Sequence, residues 1–236
     1  MALDNSARDW AFQYDKLFET NKLWAQQRWF GVQTQQNPND SWIIQEILWD
    51  TKPDLLIETG TQSGGSALFY AFIMQQYNPY ARIVTIDKAH VNDYKPLYSI
   101  KGHCERLGCT NATDHALWKQ HITFLQGDST SHAIIDRLNA FTARSLSTMV
   151  ILDSWHSYAH VLKELDVYSE AVSIGEYLIV QDTKLDRLRG RPGPKAAVRT
   201  WLNLTRDRKY QRFEVDTSRE YLLYTHHSGG YLKRVA

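Results

Sequence analysis

From Asp54 onward the chain alternates short apolar runs with longer stretches of helical pattern. The runs are DLLIETG (54–60), RIVTID (82–87), HITFLQGD (121–128), TMVILD (148–153) and EYLIVQD (176–182). Each is strand-sized and closes on a glycine or an acid. Helical pattern fills 64–77, 157–173 and 194–207. Such alternation predicts an α/β fold, a mostly parallel sheet covered by helices on both faces. RFEVD (212–216) and EYLLYTHH (220–227) read as two closing strands with a tight link, an antiparallel hairpin at the edge. At 236 residues and 43% hydrophobic, the chain has material for a packed core, and one α/β domain is the simplest arrangement.

The first fifty residues stand outside this rhythm. Trp10, Phe12, Tyr14, Leu17 and Phe18 fit a short amphipathic helix. QTQQNPNDSW reads as a loop, with Asp40 or Ser41 as N-cap of a helix running through Trp49. Residues 1–50 are therefore expected to form a helical arm, and 51–236 the main domain. Trp10, Trp24, Trp29, Trp42 and Trp49 fall in the arm, so most of the tryptophan belongs to an element that covers the site or joins copies of the chain. A homo-oligomer is the expected state.

Charge and composition narrow the partners. Lys and Arg number 27 against 26 Asp and Glu, a balance without the basic excess that nucleic acid demands. The start, MALDNSARDW, lacks a basic and then apolar leader. The longest apolar run, Ala67 to Met74, is far short of the ~20 residues that span a bilayer. Cys104 and Cys109 are the only cysteines, too few for a disulfide framework; a reducing, cytoplasmic setting is expected. With His103 and His115 they match no standard zinc spacing.

In open α/β sheets ligands bind beyond the carboxyl ends of the strands. IETGTQSGGSALFYA is laid out for this: Glu58 ends a strand, Gly60 and Thr61 open a turn, and Gly64, Gly65 and Ser66 lead into a helix. The E-x-G-x-x-x-G spacing is neither a dinucleotide fingerprint nor a P-loop, and it suits a structural turn as well as a ligand loop. Asp87 ends the next strand, where a carboxylate can hold ribose hydroxyls. Gly127-Asp128-Ser129 ends the third, where a carboxylate can take an adenine amino group. Either acid also fits a helix cap. Three acids at successive strand ends favour an adenosine ligand.

The fourth strand delivers LDSWHSYAH and the fifth Gln181-Asp182. Adjacent strand ends lie ~5 Å apart, so these groups can converge. Asp153, Asp182 and the Gln181 carbonyl form an oxygen set suited to Mg²⁺ or another hard cation. His156, beside them, is the natural base for a hydroxyl proton near neutral pH. The alternative is a His156 bonded to backbone at a helix start and an Asp182 that caps a helix. His160, one turn on, packs, orients His156 or assists the substrate. Trp155 stacks on adenine or a sugar face, or packs in the core. Lys184, Arg187, Arg189, Arg191, Lys195 and Arg199 surround RGRPGP as a solvated loop or as a lid that recognises a phosphate or carboxylate.

Taken in order, QNPNDSWIIQEILWDTKPDLLIETGTQSGGSALFYA, GDS, LDSWHSYAHVLKEL, EYLIVQDT and SGGYLKR resemble the cephalosporin hydroxylase and rhamnosyl O-methyltransferase family of class I S-adenosylmethionine-dependent enzymes. The resemblance implies a doubly wound, mostly parallel seven-stranded Rossmann-like sheet with an antiparallel C-terminal edge strand. It implies S-adenosylmethionine at Glu58, Gly60, Asp87 and Asp128, with Thr61, Gly64, Ser66, Ser129, Asp153 and Trp155 around it. It further implies Mg²⁺ at Asp153, Gln181 and Asp182, and His156 as the D-x-x-H base of macrolide sugar O-methyltransferases. The layout is also similar to catechol O-methyltransferase, with His156 where that enzyme has Lys. Gln181 departs from the Glu common in relatives. The expected activity is metal-dependent O-methylation of a sugar or glycosylated small molecule. The rivals are a catechol-type aromatic diol methyltransferase and a cofactor-binding partner of an antibiotic-modifying oxygenase.

Overall fold

Why the five apolar runs are apolar throughout is explained by what covers them. The computed structural model describes residues 5–93, 110–206, 212–222 and 224–236. Strands β3 (Leu55–Thr59), β4 (Arg82–Asp87), β5 (Ile122–Gln126), β6 (Thr148–Leu152), β7 (Tyr177–Val180), β8 (Phe213–Val215) and β9 (Tyr231–Arg234) form one sheet in the order β5-β4-β3-β6-β7-β9-β8. Strands β3 to β7 run parallel, with β5 at one edge, and β9 runs against both β7 and β8. Leu56 joins one core cluster with Ile44, Ile47 and Leu48, while Leu55 and Ile57 join the cluster on the opposite face with Val150 and Leu165. Strands buried on both faces lose the alternation that a half-exposed strand shows.

Helices α2 (Pro38–Thr51), α3 (Gly65–Tyr77) and α4 (Ala116–His121) supply the first layer. Helices α5 (His132–Thr142), α6 (Tyr158–Tyr168) and α8 (Pro194–Arg206) supply the second, and short α7 (Leu185–Arg189) follows β7. Helix α1 (Asn5–Thr20) and a hairpin of β1 (Arg28–Trp29) and β2 (Val32–Gln33) complete the arm. The hairpin turns at Phe30 and Gly31, both left-handed (φ 48° and 81°), the conformation that matches strand twist in two-residue turns. Trp29 packs edge-on against Phe69 of α3, whereas Trp10 stays 74% exposed. No described helix is long and apolar enough to cross a membrane.

Two sequence expectations are corrected. Helix α2 starts earlier, with Asn37 as N-cap accepting from the Asn39 N–H at 3.1 Å and Pro38 in the first turn, where its missing donor costs nothing. Asp40 is instead a buried hub. Its carboxylate accepts from the His226 N–H (2.9 Å), the Tyr231 hydroxyl (3.0 Å) and the Thr225 hydroxyl. That pull explains the second correction: the closing strand is Tyr231–Arg234, not 220–227. Tyr224, Thr225 and His226 turn their polar groups toward Asp15 and Asp40 instead of pairing in a ladder. Past Asp93 the described chain resumes at Thr110, where a short 3₁₀ turn (Ala112–Asp114) leads into α4.

The sheet reverses its strand order between β3 and β6, the position where α/β sheets open a crevice. Close packing fixes that crevice. Gly60 (φ 90°) follows β3, and a Cβ there would lie 2.0 Å from the Asp153 carbonyl oxygen. At Gly65 a Cβ would lie 2.2 Å from the Gln33 carbonyl oxygen of the arm. Beneath them Glu58, 1% exposed, accepts from the hydroxyls of Ser66 (2.6 Å) and Thr85 (2.5 Å). Burial pushes its carboxyl up to about 8, against the opposing effect of those two bonds.

Two outcomes follow from this packing. Gly65→Ala should destabilise the fold by about 1–3 kcal/mol in chemical denaturation, since the arm backbone has to move away. Glu58 has a folded pKa above its unfolded value of 4.5, so its contribution is complete below that value and is lost as pH rises toward 8. The melting temperature of wild type relative to Glu58→Gln should therefore fall between pH 5 and 8; a constant difference would contradict the burial argument.

Candidate active site

The ends of β3, β4, β5, β6 and β7 surround a cavity of about 620 Å³. Gly60, Thr61, Gln62, Ser63 and Ser66 form one wall; Asp87, Lys88, Gly127 and Ser129 continue it. Asp153, Ser154, Trp155, His156 and His160 face them, with Asp182, Leu185 and Arg189 beyond. The arm closes the rim through Glu19, Trp24, Gln33, Thr34 and Gln35.

The glycine loop is held from both sides. Gly60 donates its N–H to the Ile86 carbonyl at 2.8 Å. The Asp87 carboxylate accepts from the N–H groups of Gln62 (2.9 Å) and Ala89 (3.2 Å) while still lining the cavity. Gly64 is left-handed (φ 80°) at the start of α3, and its missing Cβ makes room for Trp118 and Ala112. Glu58 and Gly64 thus sit behind the lining. So does Asp128: its carboxylate binds Lys88 Nζ at 2.9 Å and caps Thr130, and the Lys88 bond chiefly holds it well below the usual carboxylate range. Of the expected cofactor residues, Gly60, Thr61, Ser66, Asp87, Ser129, Asp153 and Trp155 line the cavity. Trp155 is 65% exposed with Lys88 Nζ 5.6 Å from its ring centroid, so it is a rim residue and not part of the core.

The acids after β6 and β7 converge on one histidine. His156 Nε2 lies 3.2 Å from Asp153 Oδ1, and Nδ1 lies 3.7 Å from Asp182 Oδ2. Desolvation lowers the His156 pKa, but the Asp153 bond and the charges of Asp182 and Asp153 outweigh it and raise the net value. Burial raises the Asp153 carboxyl. Burial acts in the same direction on Asp182, but the nearby His156, Lys184, His226 and His227 bring it down to about 2. Asp182 holds a left-handed backbone (φ 55°), and its N–H donates to His227 Nδ1 at 3.0 Å. Strain of this kind, about 1–3 kcal/mol, is typical of residues held for a site.

These groups fit a divalent cation. Asp153, His156 and Asp182 each offer a ligand atom, all within 4.8 Å of one another, and they are the one such group among the described residues. Two confined carboxylates favour a hard positive charge, which the raised His156 otherwise supplies. Gln181 is 3% exposed, and its amide Nε2 donates to Tyr70 Oη at 3.3 Å. Cys104, Cys109 and His103 lie outside the described residues, and His115 stacks on Phe30 with centroids 5.4 Å apart.

The sequence did not mark two further residues. Gln36 of the arm donates Nε2 to Asp153 Oδ2 at 3.2 Å. Glu164 on α6 is buried, and its Oε1 accepts from the hydroxyls of Ser129 and Ser154, both at 2.7 Å. His160 Nε2 lies 3.0 Å from Ser154 Oγ and 3.4 Å from Glu164, so it serves this network and not His156. His160, Glu164 and Tyr168 recur every four residues on α6, a polar stripe facing inward that was visible in the spacing.

With this geometry in place, comparison with known proteins is informative. The family profile described as Rhamnosyl O-methyltransferase/CmcI matches residues 21–235. Rhamnosyl O-methyltransferase of Mycobacterium bovis is 30% identical over 200 residues, covering 81% of this chain and 72% of its own. The enzyme of the same name from Mycobacterium leprae is 29% identical over 180 residues, covering 75% and 69%. Among solved structures, CmcI-D160 in its Mg–SAM form aligns with a TM-score of 0.63 at 19% identity, over 89% of this chain and 77% of that one, a likeness of fold. The chain belongs to the rhamnosyl O-methyltransferase/CmcI family of S-adenosylmethionine-dependent O-methyltransferases.

Proposed function

We propose that this chain moves the methyl group of S-adenosylmethionine to a hydroxyl of a sugar or glycosylated small molecule, with His156 as the base and a Mg²⁺-like cation held by Asp153 and Asp182. The convergence of these three side chains at the switch point of the sheet carries the reading. S-adenosylmethionine would be held along Gly60, Thr61 and Ser66, with Asp87 to accept from its ribose hydroxyls and Ser129 and Trp155 for its adenine, all of which line the cavity. The mycobacterial relatives, rhamnosyl O-methyltransferases by name, favour a sugar acceptor over an aromatic diol. A binding-only partner of an oxygenase needs no base between two carboxylates.

His156 takes the hydroxyl proton on a ring nitrogen as the acceptor oxygen attacks the methyl carbon. The C–S bond breaks, and S-adenosylhomocysteine leaves with the bonding pair on sulfur. A bound divalent cation would lower the pKa of that hydroxyl and balance the two carboxylates. Gln36 holds the second Asp153 oxygen, so Asp153 keeps its orientation. The enzyme supplies alignment and charge stabilisation more than covalent chemistry.

His156→Ala should lower kcat by about 10²-fold or more while S-adenosylhomocysteine still binds in calorimetry, and EDTA should abolish methyl transfer. Full activity in both cases would overturn the mechanism. Gln36→Ala should weaken Mg²⁺ binding about 10-fold in direct titration. Unchanged metal affinity would remove Gln36 from the site.

A further inference from the structure

The basic run after β7 is not one charged surface. Lys184 is 3% exposed at its side chain and binds Glu19 Oε1 at 2.7 Å. Arg187 pairs with the buried Asp15. Both acids come from α1, so the arm neutralises these two cations. Lys195 Nζ donates to Ser228 Oγ at 3.3 Å on the outer side.

Arg189 is placed otherwise. It lines the cavity that holds His156, and among the described residues no carboxylate pairs with it. Its charge reaches the His156 ring, where it opposes protonation. The loop that carries it is pinned. Asp186 accepts from the N–H groups of Gly193 (2.9 Å), Lys195 (3.1 Å) and Ala196 (2.9 Å), and so closes the start of α8. Gly190, left-handed at φ 61°, ends α7 directly after Arg189. The other lining cation bearing a fixed charge, Lys88, is engaged by Asp128 after β4. In sheet order β4 lies three strands from β7, on the order of 14 Å away.

We infer that Arg189 is an anion subsite for the acceptor: the sugar that presents a hydroxyl to His156 carries a phosphate or a carboxylate that the guanidinium grips. The inference rests on the methyl-transfer reading and specifies its substrate class. A planar guanidinium binds either group through two parallel N–H donors, which fixes orientation as well as position. Asp153 and Asp182 would repel an anion in the empty site. In the loaded enzyme the sulfonium and the cation balance them, leaving Arg189 to set the sign at the rim.

The test compares wild type, Arg189→Ala and Arg189→Lys on three acceptors: methyl rhamnoside, which is neutral; rhamnose 1-phosphate; and galacturonate. Binding is measured by calorimetry in the presence of S-adenosylhomocysteine and Mg²⁺, and kcat/KM with S-adenosylmethionine. Wild type should prefer one charged acceptor over the neutral one by about 10-fold or more, and Arg189→Ala should bring that ratio close to one, with Arg189→Lys between them. Whether phosphate or carboxylate shows the preference identifies the group. Equal binding of charged and neutral acceptors by wild type, or an unchanged ratio in Arg189→Ala, would overturn the subsite. A preserved binding ratio without methylation of any acceptor would leave the subsite standing and sink the methyl-transfer reading instead.

Discussion

The structure depends on how closely two strand exits can approach. β3 and β6 are neighbours, and the chain leaves them at Gly60 and Asp153 with backbone against backbone. The Asp153 N–H donates to the Thr59 carbonyl at 3.0 Å, extending the ladder past the last paired residue. No side chain fits between them. This contact brings the glycine loop and Asp153 within a single strand spacing. Asp182 arrives from the next strand by the same register, since the Gln181 N–H donates to the Leu152 carbonyl at 3.0 Å. The distance from the glycine loop to Asp153 and Asp182 is therefore a property of the sheet and not of flexible loops.

Much of this was legible in the residues. Central strands are buried on both faces, so their apolar runs have sharp edges, and four of the five runs end on a residue that lines the cavity: Gly60, Asp87, Asp153 and Asp182. Asp87, Asp153 and Asp182 stand at such run ends, with His156 three residues past Asp153, and all four line the cavity. Other features carried no such signal. β1 and β2 are two residues each, too short for any period, and only the Phe30-Gly31 turn marks them. EYLLYTHH has strand composition, but a buried carboxylate at residue 40 outcompetes the ladder for its polar groups. Gln36 serves from a loop, and nothing in the spacing of QTQQN separates it from its neighbours. Glu164 was placed on a helix but not connected to serines at two strand ends.

The arm is more than a cover. Val32, Ile43 and Ile47 belong to the same core cluster as Leu56 and Tyr70, so the arm and the sheet share packing. Gly65 presses on Gln33, Gln36 reaches Asp153, and Glu19 and Trp24 border the cavity. Its acids also sort the cations after β7: Glu19 and Asp15 engage Lys184 and Arg187, while Arg189 stays exposed at the border of the cavity.

Asp40 joins parts of the chain that are far apart in sequence: its bonds to the His226 N–H and the Tyr231 hydroxyl span 186 and 191 residues. Contacts of such separation form late and slowly, because a large loop must close first. During synthesis the five central strands and their acids emerge before the donors that Asp40 needs. Until residues 224–231 arrive, that carboxylate lacks the donors it accepts from in the fold and keeps water instead. Burial of Asp40 against the segment 224–231 is therefore expected to be a late step, one that ties α2 to the closing strand only after the parallel strands have paired.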